Sequence, residues 1–200
     1  RNGGDSASIL RLSTDGTNFY GVGWDFGGGG TLEGTFSANW SDGSMKWIED
    51  CHGDTYDVAN VNGVVYTASH KHYCGNSGGF PQTDPWTYYH STAFSGDVRG
   101  TNTADIYGYE DHPGTPRPEL LNWYPRTEWG NYTNAKQSVW TVTGNSDYVL
   151  YGGEFPAVNG VRQQGLVRYA VRANAPNKIG PAESGATINP SVQSVSAGKV

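Results

Sequence analysis

Methionine is almost absent from this chain, with one residue in 200, and only two cysteines occur. Basic residues are also few: 13 Lys and Arg stand against 19 Asp and Glu, for a formal net charge of −6. They are scattered along the chain, which excludes the clustered positive footprint of a nucleic-acid binder. No apolar run approaches the ~18 residues that would cross a bilayer as a helix, so no membrane span is expected. Charged residues make up 16 %, below the ~25 % of average globular chains, and a solvated, charged coil is excluded too. Glycine, in contrast, is abundant: 29 residues, about twice its usual ~7 % share. Rings are plentiful as well, with 13 Tyr, 7 Trp and 6 Phe. Glycine punctuation around aromatic and β-branched residues is a β-sheet composition, and it excludes a helical bundle.

The sequence opens on Arg1 with no charged-apolar-small leader, which leads us to expect a trimmed or partial chain. Cys51 and Cys74 form an even pair in a lysine-poor, Gly/Ser/Thr/Asn-rich chain. That usage fits an oxidising compartment, so we expect a Cys51–Cys74 disulfide and an extracellular or cell-surface location. A metal site is the runner-up. His70, His72 and Cys74 share one face of a strand by the period-2 rule, and His52 follows Cys51, giving His52, His70 and His72 as candidate zinc ligands. The spacing is not that of a zinc finger or ribbon, so no cofactor is expected.

Three segments align on their last aromatic or imidazole ring: Phe19–Phe26, Val65–His72 and Tyr148–Phe155. In each, a bulky pair precedes a small residue (Gly23, Ser69, Gly152), then a charged one (Asp25, Lys71, Glu154). Turn signals come before them: Asp15 with Gly16, Asn62 with Gly63, and residues 144–147. Ile9–Leu12 matches Leu166–Tyr169, and Met45–Trp47 matches Leu121–Trp123. The spacing between the first two units is 46 residues, the length of a β-propeller blade, and the next gap is one period plus an insertion. Ile9–Leu12 reads as the closing strand of a preceding blade. The expected fold is therefore all-β, with propeller-type blades over residues 1–172 forming a partial propeller.

The insertion covers about residues 75–117 and is rich in proline and aromatic residues, with a short hairpin expected through Trp86–Phe94 and an ordered flap beyond it. Residues 173–185, with Pro176 and Pro181, read as a linker. Residues 186–200 alternate like the first strand of a following β module or a tail. Gly27–Gly30 follows a strand with no helix behind it, so it reads as a turn and not as a phosphate loop.

The run Tyr151–Gly160 (YGGEFPAVNG) followed by Gln164–Tyr169 (QGLVRY) resembles the GGxF…VNG…GLVR blade of bacterial secreted β-propellers, akin to delta-60 repeats. Cys51–Val58 and Pro85–Trp86 are similar to segments of large, multi-domain secreted proteins of actinobacteria. The resemblance implies that fibronectin-III-like or PKD-like modules follow the propeller, and that neighbouring blades, domains or partner chains cover its open ends. Trp24 and His70 stand where the motif has its second glycine, so the first two units depart from it.

Two kinds of residue invite chemistry. Glu49, Asp50, Asp54 and Asp57 cluster, as do Glu110 and Asp111, and paired carboxylates are what glycoside hydrolysis needs. They lie in no recognisable signature, and exposed turn acids are the plainer reading. Rings crowd the stretch from Trp86 to Tyr132, where they either pack the flap or stack on sugars. Asn39–Ser41 and Asn131–Thr133 match the glycosylation acceptor pattern. We expect any ligand on the insertion, with Trp86 and Tyr88 as stacking residues and His90, His52 and Asp54 as polar neighbours. The expected function is a non-catalytic binding or scaffolding propeller module that takes a glycan or cell-wall component. The alternatives are a glycoside hydrolase or lyase, or a lectin-like propeller.

Overall fold

The computed structural model describes residues 6–26 and 31–175. It is all-β, built from fourteen strands in small antiparallel sheets. The first sheet is a meander of β1 (Ala7–Thr14), β2 (Asn18–Asp25), β3 (Thr35–Asn39) and β4 (Met45–Glu49). The second is β5 (Thr55–Val61), β6 (Val64–Lys71) and β7 (Tyr89–Ser95). A short pair follows, β8 (Gly100–Thr101) with β9 (Pro116–Arg117). The third sheet is β10 (Val139–Gly144), β11 (Tyr148–Gly153) and β14 (Leu166–Ala170), next to the hairpin of β12 (Ala157–Val158) and β13 (Val161–Arg162).

The three aligned segments fall on β2, β6 and β11, each the second strand of its sheet. Asn62 and Gly63 both adopt positive φ, so the two-residue turn they form matches the twist of β5 and β6 and fixes their register. Three expectations are corrected. Ile9–Leu12 opens the first sheet as part of β1 instead of closing an earlier one, because the Asp15 turn folds it directly onto β2; the Asp15 carboxylate accepts the N–H groups of Thr17 and Asn18. The hairpin expected through Trp86–Phe94 is not local. Tyr89–Ser95 is instead the third strand of the second sheet, paired with β6. This strand is buried on both faces and so shows no clean alternation in sequence. Leu121–Trp123, matched to Met45–Trp47 on β4, lies outside any strand. Residues 27–30, and the linker and tail from 176 onward, lie outside the described residues.

The second sheet is the centre of the molecule. One face, with Val58, Val65 and Phe94, packs on Tyr20, Val22 and Trp47 of the first sheet. The opposite face, with Ala59, Val61 and Ala68, packs on Val139, Val142, Val149 and Tyr151 of the third. Buried rings keep their polar ends satisfied: the Trp47 indole N–H donates to Gly96 O at 2.8 Å, and Tyr151 OH donates to Thr67 O at 3.3 Å. The first strands of the three sheets run side by side, with β5 against β1 on one flank and β10 on the other.

One carboxylate joins all three. Asp57, on β5, accepts Arg11 Nε from β1 at 3.2 Å and its neighbour Val58 N–H at 2.9 Å. Its other oxygen accepts Thr141 Oγ1 at 2.5 Å and the Val142 N–H of β10 at 3.0 Å. A second polar link runs between the first two sheets. The fully buried Lys71 Nζ lies 3.2 Å from Glu49 Oε2 and donates to Thr55 Oγ1 at 2.6 Å. Burial pushes the Lys71 ammonium down and the Glu49 carboxyl up, and each charge opposes the shift of the other. Beside this pair Cys51 and Cys74 are joined in a disulfide that closes 23 residues of chain, a constraint worth about 3 kcal/mol in the chain-entropy model.

The acids expected as exposed turn residues are thus corrected: Glu49, Asp50, Asp54 and Asp57 are all buried. The reason is that strand-end backbone N–H groups and one buried lysine need acceptors. Replacing Asp57 with alanine leaves the buried Val142 N–H without an acceptor, at roughly 1–3 kcal/mol, and removes the hydrogen bond to the exposed Thr141 hydroxyl. We predict that Asp57→Ala lowers the unfolding free energy by about 3 kcal/mol in urea titrations. Arg11→Ala, whose guanidinium is mostly exposed, costs under about 1 kcal/mol.

Candidate functional site

The far end of the β5–β6 hairpin carries most of the chain's imidazoles. Beyond Thr55 the pairing continues through an isolated bridge between His52 and Tyr73, with His52 N–H donating to Tyr73 O at 2.7 Å. Gly53 makes this possible. Its φ is +115°, and a Cβ there would sit 2.4 Å from His70 O. Strand alternation then puts His70 and His72 on one side and sends Lys71 into the core.

Each imidazole is held differently. His72 Nδ1 meets Gln82 Oε1 at 2.9 Å, and the same oxygen accepts Tyr109 OH at 2.8 Å. His70 Nδ1 lies 2.8 Å from Tyr56 OH, and its Nε2 lies 3.7 Å from Asp54. His52 Nδ1 faces Glu33 Oε2 at 3.2 Å, while its ring stacks on Tyr73 and tilts against Tyr109. Burial lowers His72, and it brings His70 and His90 down to about 4. Burial, with the nearby Glu33 charge, raises Asp54 to about 6. Glu33 itself is held below its ordinary value, because hydrogen bonds from His52 and the Gly53 N–H outweigh its burial.

Two cavities flank this cluster. The smaller, about 280 Å³, is lined by His52, Asp25, Glu33, Asp50, Tyr109 and Glu110. The larger, about 700 Å³, is a cleft with two walls. One wall is Trp86–His90, the run that enters β7. It is fixed by the Trp86 ring stacked on His72, with centroids 4.1 Å apart at 13°, and by the Tyr88 ring, which stands edge-on to His70 and His72. The other wall is Tyr124–Trp129. It is bound to the β12–β13 hairpin: Asn159 N–H donates to Arg126 O at 2.7 Å, Glu128 N–H donates to Ala157 O at 3.1 Å, and Thr127 bridges to Val158. Trp86, Tyr88, Tyr124 and Trp129 all keep more than a third of their surface exposed. His90 and Thr127 are buried, and among the described residues neither His90 Nε2 nor Thr127 Oγ1 has a hydrogen-bond partner.

The five expected ligand residues therefore do not share one cavity. Trp86, Tyr88 and His90 line the cleft, His52 lines the smaller cavity, and Asp54 lies against His70. His52, His70 and His72 are not gathered as a metal site. Among the described residues, the only three candidate ligand atoms within 4.8 Å of one another belong to Glu49, Cys51 and Cys74, two of them the disulfide sulfurs. Sequence reading missed Arg126, Thr127 and Glu128, although a polar run between Tyr124 and Trp129 is a legible signal. It also missed Glu33, which lies next to a glycine run and far along the chain from the histidine that it holds. Asp50 accepts from Asn76 Nδ2 and the His112 N–H, and Asp111 accepts from the Asp105 N–H, while Glu110 lines the smaller cavity. Comparison with protein-family models, curated proteins and solved structures finds no match.

The shifted groups set a pH response. His70 and His90 refuse in the fold protons that the unfolded chain accepts near pH 6.5, so their contribution is present above that pH and is lost as pH falls toward 4. Asp54 acts in the opposite sense. Its raised value favours the folded state as pH falls from about 6 toward 3.8. As pH falls from 6.5 to 4, the two imidazoles therefore lower the urea midpoint while Asp54 raises it. Compared with the wild-type chain, His90→Gln should lose less of its urea midpoint over that window, and Asp54→Asn should lose more.

Proposed function

We propose that the chain is a carbohydrate-binding, partial β-propeller module of a secreted or cell-surface protein, and that the sugar lies between Trp86–His90 and Tyr124–Trp129. The observation that carries this reading is the cleft's composition: Trp86 and Tyr88 on one wall and Tyr124 and Trp129 on the other, each with more than a third of its surface exposed. The rings offer flat faces to the C–H side of a pyranose. Arg126 and Glu128 complete a set of directional contacts in a cleft of ligand size.

Binding is favoured over hydrolysis at this cleft, where Glu128 is the one lining carboxylate among the described residues and hydrolysis across a glycosidic bond takes two. Glu49, Asp50 and Asp57 are occupied as structural acceptors, while Glu110 lines the smaller cavity with Asp25, Glu33 and Asp50. The blade reading is supported by three meanders stacked face to face with β1, β5 and β10 adjacent at one edge. Ile9, Leu10 and Leu12 of β1 and Leu166 of β14 remain exposed, as surfaces covered by further blades or partner chains would. The disulfide fits an oxidising, extracellular setting, and among the described residues no helix is long and apolar enough to cross a membrane.

The test is a glycan array followed by titration calorimetry on the hits. Trp86→Ala is expected to weaken binding at least tenfold, about 1.4 kcal/mol, with Trp86→Phe retaining most of it. Hits whose affinity is indifferent to Trp86 would reject the site. Release of new reducing ends or of unsaturated sugar ends during the same incubation would favour the enzyme alternative.

A further inference from the structure

Trp129 lines a second cavity as well as the cleft described above. This second cavity is a cleft of about 730 Å³, walled by Tyr132, Lys136, Glu154, Phe155 and Gln164. The two clefts are of similar size, each within the range that encloses a drug-sized ligand, so together they exceed the needs of one or two sugar rings. Exposed rings continue across the join: half of the Trp129 surface is open, and Tyr132 is 93 % exposed. An aromatic ring that open gains little from the fold and is available to a ligand.

The second cleft is built on anchored backbone. The Glu154 carboxylate accepts Thr133 N–H at 2.9 Å, Thr133 Oγ1 at 2.5 Å and the Trp140 indole N–H at 3.1 Å, and these contacts hold its carboxyl low. Gly130 N–H donates to Gln137 O at 2.9 Å, and a Cβ on Gly130 would lie 2.1 Å from Glu154 O, so glycine is required where the loop crosses. Lys136 Nζ stands 6.0 Å from the Trp129 ring centroid.

The charges of the two clefts balance. Arg126 and Lys136 are matched by Glu128 and Glu154, and His90 is neutral at physiological pH, although the chain carries a net charge of −6. A groove selecting a polyanion or a polycation would carry an excess of the opposite sign.

We infer that the two clefts form one track for an extended, neutral polysaccharide chain, with Trp129 as the ring shared by adjoining subsites. This inference rests on the carbohydrate-binding reading and adds chain length and neutrality to it. Rings spaced along a track make affinity grow with ligand length until the track is filled, whereas a single-sugar pocket saturates after two or three units.

The experiment uses neutral β-linked gluco- and xylo-oligosaccharides of two to eight units, titrated calorimetrically into the wild-type chain, Tyr132→Ala, Tyr132→Phe and Trp86→Ala. For the series that binds, Kd should fall at least tenfold between the trisaccharide and the hexasaccharide. Tyr132 lines the second cleft and not the first, so Tyr132→Ala should abolish most of that gain while leaving trisaccharide affinity within about twofold, which also shows that the variant folds. Tyr132→Phe should restore the gain, and Trp86→Ala should weaken every length. Affinity that is flat beyond three units but still sensitive to Trp86, or a length gain unaffected by Tyr132→Ala, overturns the extended track and leaves the single cleft standing. A strong preference for uronic-acid or amino-sugar oligomers of equal length overturns neutrality. No Trp86-dependent binding at any length overturns both readings.

Discussion

The Asp57 carboxylate is the contact on which the arrangement of the sheets depends. A three-stranded sheet with two apolar faces can slide against its neighbours, since hydrophobic burial is not directional. Asp57 removes that freedom by accepting one donor from β1 and two from β10 while sitting on β5 between them. It fixes the three first strands relative to one another, and the two apolar clusters on either side of the second sheet fill in around that line. A buried carboxylate with donors from three strands has few alternative partners, which favours one packing over its near-degenerate competitors.

From this line the β5–β6 hairpin projects toward the site. Its Asn62–Gly63 end is a tight turn, and its opposite end is tied by the disulfide and the Glu49–Lys71 pair. Because Lys71 is drawn inward to Glu49, His70 and His72 are turned outward, and the His72 ring becomes the platform on which Trp86 stacks. The cleft wall is thus positioned by a chain of contacts that begins in the core. The opposite wall is positioned independently, by backbone bonds from the β12–β13 hairpin. Two walls held by separate sets of contacts present a preformed surface, which lowers the ordering cost of binding.

Much of this is legible in the sequence, for reasons that are local. Glycine-bracketed alternation gives β2, β6 and β11; Asn-Gly gives its turn; an even cysteine pair gives the disulfide. Trp86, Tyr88 and His90 are readable as a ring-rich run outside the regular spacing. What is not legible is long-range. Tyr89–Ser95 has no alternation because both its faces are buried, so it hides as part of an insertion. Asp57 and Glu49 look like surface acids until their partners, 84 and 22 residues away, are brought to them. Arg126–Glu128 acquires meaning only when β12 and β13 carry it to face His90.

The claim that the Trp86–Trp129 cleft is the recognition surface is tested most directly by NMR during titration with a neutral oligosaccharide. The chain's seven tryptophans provide internal controls. The account predicts that the indole N–H signals of Trp86 and Trp129 and the imidazole signals of His90 move together and saturate. Buried Trp47 and the exposed Trp40, in the turn after β3, should stay in place. Saturable shifts at Trp40, or at His52 and Tyr109 around the smaller cavity, with Trp86, Trp129 and His90 unmoved, would contradict it.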